Sequence, residues 1–264
     1  MITIDKLQNR IICADCLDIL RQLPDKCVDL VCTDCPYRVI GGGCATGAYG
    51  NDRQDMSKGV LFRGCGKRAK KWETQGQLDQ NYSNVKSGKM FEYNEIKFEE
   101  WLPEIYRVLK DGTHCYIMIN GRNLAELQTK AEKVGFVFQQ LLVWDKGNAT
   151  PTKWYLQCCE FILMLRKGSA KYINDMGYKT LLSIPNIIGD KIHPTEKPIG
   201  LMEILIKNST NKGDIVLDPF AGSSPVAVAS YYSERNFICI EKDPEYYRAS
   251  CERLEQAQRQ QILF

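Results

Sequence analysis

A chain of 264 residues can bury one large core or at most two modest ones. Its hydrophobic and charged fractions are ordinary for a globular protein, and no apolar run approaches the ~20 residues that span a bilayer, which argues against a helical membrane protein. A formal net charge of +3 is too small to indicate a nucleic-acid partner by itself, so the placement of the positive charge carries the information.

The opening MITIDKLQNR lacks the apolar core of a signal peptide, which predicts a cytosolic protein. Strand-like apolar runs then recur at 10–14, 28–33, 113–119, 137–145, 158–166, 214–217 and 236–240. Most are nearly continuous and rich in β-branched or aromatic residues, the pattern of strands covered on both faces. Helical patterns lie between them near 15–23, 98–110, 121–134, 198–207, 222–231 and 243–257. Pro198 and Pro244 suit first-turn positions, and Gly112 follows a helix expected to end at Leu109 and Lys110. This alternation predicts an α/β protein with a mostly parallel sheet and helices on both faces.

Residues 41–97 break the pattern. The stretch opens with Gly41-Gly42-Gly43, lacks periodicity, and carries Arg53, Lys58, Arg63, Lys67, Arg68, Lys70 and Lys71. An irregular connection of that length inside a compact domain is uncommon unless it serves a function or is disordered. It reads either as a solvated surface insertion or as a DNA-contacting flap with Trp72, Tyr82 and Tyr93 interleaved among the cations.

Several of the 12 cysteines sit inside apolar strand-like runs, where a free thiol acts as a small buried hydrophobe. Cys13-x-x-Cys16 and Cys32-x-x-Cys35 do have the spacing of a four-cysteine zinc site. Neither pair has a nearby glycine to make the tight turn. Residues three apart on a strand also point to opposite faces, so no metal is expected.

Two segments carry the chemistry. In Ile215-Val216-Leu217-Asp218-Pro219-Phe220-Ala221-Gly222-Ser223-Ser224, a buried strand ends in an acid, and a small-residue turn leads into a helix. The next strand ends in Glu241, placed to accept hydrogen bonds from ribose hydroxyls. Strand, acid and glycine turn followed by strand and acid is a nucleoside-binding signature, and the absence of GxGxxG argues against NAD. In Val28 to Tyr37 a second buried strand ends in Asp34-Cys35-Pro36-Tyr37. Proline stiffens that turn, so a carboxylate, a fixed carbonyl and a ring face suit a planar base bearing an amino group.

Together these segments resemble the amino-methylating DNA methyltransferases. Asp34-Cys35-Pro36-Tyr37 is similar to the family's Asp-Pro-Pro-Tyr catalytic motif, and Asp218 to Ser224 to its Asp-Pro-Phe-x-Gly-Ser-Gly cofactor loop. His193-Pro194-Thr195-Glu196-Lys197-Pro198 matches its His-Pro-Thr-x-Lys-Pro segment. Ala14-Asp15-Cys16-Leu17, Leu23-Pro24-Asp25, Trp144-Asp145-Lys146 and the strand from Glu160 to Lys167 are also typical. The catalytic motif precedes the cofactor loop, as in the circularly permuted class beta. Cys35 for proline and Ser224 for glycine are departures; the first keeps the backbone carbonyl that the family uses.

The resemblance implies a Rossmann-like fold with a seven-stranded, mostly parallel sheet, in a single domain over 1–264. Residues 41–97 would be an insertion and 168–192 a short target-recognition segment, with recognition shared by the loop 147–157. It further implies that methyl transfer from S-adenosylmethionine to a flipped-out base relies on Asp34, Cys35, Pro36 and Tyr37. Asp218, Phe220, Ala221, Gly222, Ser223, Ser224, Lys197 and Thr195 would hold the methionine part, Glu241 the ribose and Asp15 the adenine edge. Double-stranded DNA would meet Arg53, Arg63, Lys67, Arg68, Lys70 and Lys71. Asp34 favours adenine N6, because cytosine-N4 enzymes more often carry serine there. The Cys-Pro order and the acid beside Cys35 argue against C5 chemistry. RNA as substrate, a non-catalytic zinc and DNA-binding protein, a homodimer and a cognate endonuclease are left open by the residues.

Overall fold

The computed structural model describes residues 3–36, 96–150, 154–169, 171–187 and 196–262. The chain divides into two compact units. Met1–Pro36, Ile96–Ala149 and Cys158–Phe264 form the first, and Tyr37–Glu95 with Thr150–Gln157 the second. The second unit falls close to the expected insertion at 41–97. The account below concerns the first unit.

In chain order the elements are β1 (Arg10–Cys13), α1 (Cys16–Leu20), β2 (Val28–Asp34), α2 (Phe98–Val108), β3 (Leu109–Ile119), α3 (Leu124–Val134) and β4 (Val137–Thr150). Then come β5 (Gln157–Arg166), β6 (Leu181–Ser183), α4 (Ile199–Ser209), β7 (Ile215–Asp218), α5 (Pro225–Tyr232), β8 (Asn236–Glu241) and α6 (Pro244–Ile262). No helix among the described residues is long and apolar enough to cross a membrane.

The strands form one sheet in the order β1-β8-β7-β2-β3-β5-β4-β6. Pairing is parallel from β1 through β3, antiparallel between β3 and β5, and parallel again between β4 and β6. All seven expected strands are present. The eighth, β6, corrects the expected count; with three residues and only Leu182 buried, it is too short to show a period.

Strand residues alternate between two cores. Leu30 and Cys32 of β2 and Tyr116 and Met118 of β3 join Leu201, Leu205, Val226 and Leu254 from α4, α5 and α6. Val31 and Ile117 are equally buried but point the other way, toward the side where α1, α2 and α3 pack in sequence. On α2 the buried stripe Phe98, Trp101, Leu102, Ile105 and Val108 has helical spacing.

One boundary differs from expectation. Helix α2 stops at Val108, and Leu109 already pairs with Val28 in the sheet. The stop is held by Lys167, whose ammonium donates to the Tyr106 and Leu109 carbonyls at 2.6 and 2.7 Å, a cation at the negative end of the helix. Gly112 therefore lies inside β3, at φ 75°, where the register shifts between Val28 and Leu30. It does not follow a helix end.

The described part of the expected recognition segment runs from one edge of the sheet toward the other beside β3, β4 and β6. Lys171 bonds to Gly112 and His114 near the amino end of β3, and Asn174 donates to Lys207 and Thr210 at the end of α4. Residues 171–175 thus lie at the amino edge. The chain then returns through β6, and Ile184 and Asn186 bond to Asp145 and Lys146 toward the other edge.

The cysteine pairs are far apart in this order. Cys13 ends β1 and Cys32 lies in β2, with β8 and β7 between them, a separation of roughly 14 Å at about 4.8 Å per strand. One ion cannot bridge both pairs. Among the described residues no group of three or more metal-binding side chains comes together.

Candidate active site

Strands β7 and β2 lie side by side, although about 185 residues separate their ends in sequence. From β2 the chain goes on to β3 on one side, and from β7 to β8 on the other, so the sheet order reverses between them. In an open α/β sheet this is where ligands bind, beyond the carboxyl ends of the strands. Four acids stand along that edge in strand order: Asp15 just after β1, then Glu241, Asp218 and Asp34 at the ends of β8, β7 and β2.

Each acid is held differently. Asp15 caps α1, its Oδ1 accepting from the Leu17 amide at 2.9 Å, while Lys242 donates to Oδ2 at 2.8 Å. Burial alone would raise its pKa, but Lys242 and the Leu17 amide outweigh that and lower it. Glu241 accepts the Gly222 amide on one oxygen and the Asp243 amide on the other, at 2.7 and 2.8 Å. Burial nevertheless raises its pKa. Asp218 is 2% exposed, and its Oδ1 accepts from the Thr33 hydroxyl at 2.7 Å and the Phe220 amide at 3.1 Å. Burial, aided by the neighbouring charges of Asp34 and Glu241, pushes its pKa up to about 7.

The loop after Asp218 is braced from two sides. Ala221 donates its amide to Ile240, and the Ser250 hydroxyl of α6 donates to the Gly222 carbonyl at 2.6 Å. Arg253, one turn further along α6, reaches the Ser223 carbonyl and hydroxyl at 3.1 Å and forms a 2.7 Å ion pair with Glu196. The indole of Trp101 meets the Phe220 ring edge-on at 5.1 Å.

Ser224, the departure from the family's glycine, adopts left-handed geometry at φ 50°. That conformation costs a non-glycine residue about 1–2 kcal/mol. Its hydroxyl is buried with no hydrogen-bond partner among the described residues and does not cap α5. Ser224→Gly should therefore stabilise the protein by about 1 kcal/mol and raise the melting temperature by about 2–4 °C in calorimetry. An unchanged or lower melting point would show that the hydroxyl has a stabilising partner.

Asp34 ends β2 beneath α4. Lys197 donates to its Oδ2 at 2.6 Å, whereas Oδ1 is buried without a partner among the described residues. Burial raises the Asp34 pKa, and the adjacent Lys197 only partly opposes this. The Cys35 thiol donates to the Met118 carbonyl at 3.5 Å, and burial with the nearby Asp34 pushes its pKa well above the usual thiol range. Cys35 is therefore no nucleophile at neutral pH. The structure thus brings Asp34, Cys35, Lys197, Asp218, the 220–224 loop, Glu241 and Asp15 to one edge. Tyr37, Thr195 and the cations Arg53, Arg63, Lys67, Arg68, Lys70 and Lys71 lie outside the described residues.

The profile of the N6/N4 DNA methylase family matches residues 28–184 and 179–252, from the catalytic turn through the cofactor loop. The chain belongs to that family. The type II methyltransferase M2.MboI of Moraxella bovis is 25% identical over 254 residues, spanning 89% of this chain and 84% of the relative. M.HpaI of Haemophilus parainfluenzae is 27% identical over 274 aligned residues, spanning 94% and 75%. Among solved structures, the M1.HpyAVI–SAM complex superposes with a TM-score of 0.63 at 26% identity, covering 93% of this chain and 99% of that one. The cytosine-N4-specific PvuII DNA methyltransferase superposes with a TM-score of 0.63 at 17% identity, covering 94% and 89%, and shares the fold.

Within this DNA methylase, sequence reasoning missed Thr33, Ser250 and Arg253, which hold the cofactor-type loop, and any role for Glu160 and Lys146. Arg253 sits in an ordinary amphipathic helix, so nothing local marks it. Glu160 carried a signal: an acid inside a strand, immediately before the apolar run 161–165.

Proposed function

We propose that this DNA methylase transfers a methyl group from S-adenosylmethionine to N6 of adenine in double-stranded DNA. The observation that carries the reading is Asp34: Oδ2 is fixed by Lys197, and Oδ1 is buried and open to a donor. The amine of adenine is a poor nucleophile because its lone pair is delocalised into the ring. Asp34 Oδ1 and the Cys35 carbonyl would accept its two hydrogens and favour a pyramidal nitrogen, which is preorganisation rather than prior deprotonation. Pro36 holds the turn, and Tyr37 would stack on the base once it leaves the duplex.

The edge fits a cationic nucleoside. Asp218 is buried and Glu241 half-buried, and the described partners of both are neutral, so a ligand with positive charge relieves both. S-adenosylmethionine, when bound, supplies an electrophilic methyl on a sulfonium. Asp218 and the loop 220–224 with Thr195 would hold its methionine part, Glu241 its ribose and Asp15 its adenine edge. Because Asp15 already serves Leu17 and Lys242, its contact must use the remaining lone pairs.

Arg53, Arg63, Lys67, Arg68, Lys70 and Lys71 would neutralise DNA phosphates. Base reading would fall to the part of 168–192 that returns to the site edge after β6, not to residues 171–175. The carboxylate at position 34 favours adenine, since cytosine-N4 enzymes more often have serine there. Unmethylated DNA is incubated with protein and S-adenosylmethionine, digested, and its nucleosides identified by mass spectrometry. N6-methyladenine is the expected product, and N4-methylcytosine would overturn the substrate while keeping the site.

A further inference from the structure

Four charges of alternating sign form a line behind the catalytic turn. Lys146 on β4 pairs with Glu160 on β5 at 2.5 Å, Glu160 with Lys197 at 3.3 Å, and Lys197 with Asp34 at 2.6 Å. Lys197 is 4% exposed, and the side chains of Lys146 and Glu160 are 16% and 19% exposed. Such charges persist away from water only when paired, so each member constrains the next. Lys146 is fixed in turn, lying 5.7 Å from the Trp144 ring, while its carbonyl accepts the Asn186 amide.

We propose that Lys146 and Glu160 are positioning residues, which act through Lys197 to hold the Asp34 carboxylate with Oδ1 turned to the base amine. The proposal rests on the reading of Asp34 given above. It gives Lys197 a different duty from that of the family resemblance, because its ammonium is already shared by two protein carboxylates. It also explains why a strand edge carries Lys146 and Glu160 inside the fold: strand pairing alone needs neither charge.

Glu160→Gln keeps the shape of the side chain, removes its charge, and leaves one accepting oxygen where two face Lys146 and Lys197. We expect kcat to fall about tenfold, with the Kd for S-adenosylmethionine measured by calorimetry within twofold of wild type. The groups facing Asp34 are Lys197, Glu160, Lys146, Cys35 and Asp218. Of these, Glu160 raises the Asp34 pKa by repulsion, so the acid limb of kcat should move to lower pH in the variant. Lys146→Met should lower kcat in the same way, and Lys146→Arg should restore it. If Glu160→Gln does not fold, the Lys146 pair carries the test.

Unchanged kcat in Glu160→Gln, or a fall with no movement of the acid limb, would overturn the proposal. So would a loss confined to S-adenosylmethionine affinity, which would return Lys197 to the cofactor. Asp34→Ala separates the two levels. Normal turnover in that variant removes the parent reading, whereas an inactive Asp34→Ala beside a normal Glu160→Gln removes only this one.

Discussion

Asp34→Ala is expected to lower methyl transfer by about 10²–10³-fold and to leave S-adenosylmethionine affinity within a few-fold of wild type. The size of the loss follows from what the carboxylate offers. It is a buried acceptor on the sheet edge, preoriented by Lys197 on one oxygen and open on the other. Interactions of this kind strengthen as the amine pyramidalises, so their removal acts on the rate more than on binding. The fold should survive. Removing one partner of a buried ion pair is costly when a charge is left alone, but Lys197 keeps Glu160 at 3.3 Å. Single-turnover rates and calorimetric titration of the cofactor check both halves. Normal turnover would displace Asp34 from the active site, and a parallel loss of affinity would make it a cofactor ligand instead.

The elements that sequence made legible are those whose signal is local. Seven strands and six helices were readable because most of the strands are nearly continuous apolar runs, and because α2 shows its buried stripe at helical spacing. The motif residues Asp34, Asp218 and Glu241 were readable because each ends a buried strand, a position where an acid has no packing reason to be.

What escaped depends on tertiary partners. Helix α2 was expected to run to Lys110, since Leu109 and Lys110 are good helix formers. It stops because Lys167, far along the chain, binds its terminal carbonyls and because Leu109 is claimed by Val28. Strand β6 has no period of its own and exists only through its pairing with Val143 to Asp145. The charge line from Lys146 to Asp34 joins β4, β5, β2 and the residue just before α4, a tertiary arrangement that no spacing along the chain encodes. Ser224 shows the converse: the departure from glycine was visible in sequence, but its meaning came only with the left-handed φ of 50°.

Asp218 is the acid whose burial has the largest consequence for the ligand-free protein. Its pKa is pushed up to about 7 by burial, from an ordinary value of 3.8 in the unfolded chain. Between those two values the folded state holds a proton that the unfolded state has released. The stability this contributes is therefore complete below about pH 4 and is lost as pH rises through about 7. At 1.36 kcal/mol per unit the loss is on the order of 4 kcal/mol, undiscounted for solvent because the side chain is 2% exposed. Asp218→Asn keeps the shape and cannot ionise. Relative to wild type, its stability measured by denaturant titration should be lower or equal near pH 4.5 and should rise progressively to an advantage by pH 8. A difference independent of pH would mean that Asp218 is ionised without cost and that the edge does not await positive charge. Saturating S-adenosylmethionine should then stabilise wild type more at pH 8 than at pH 6, because a cation favours the ionised carboxylate. In Asp218→Asn that dependence should disappear, tying the cost of burying this acid to the charge of the ligand it receives.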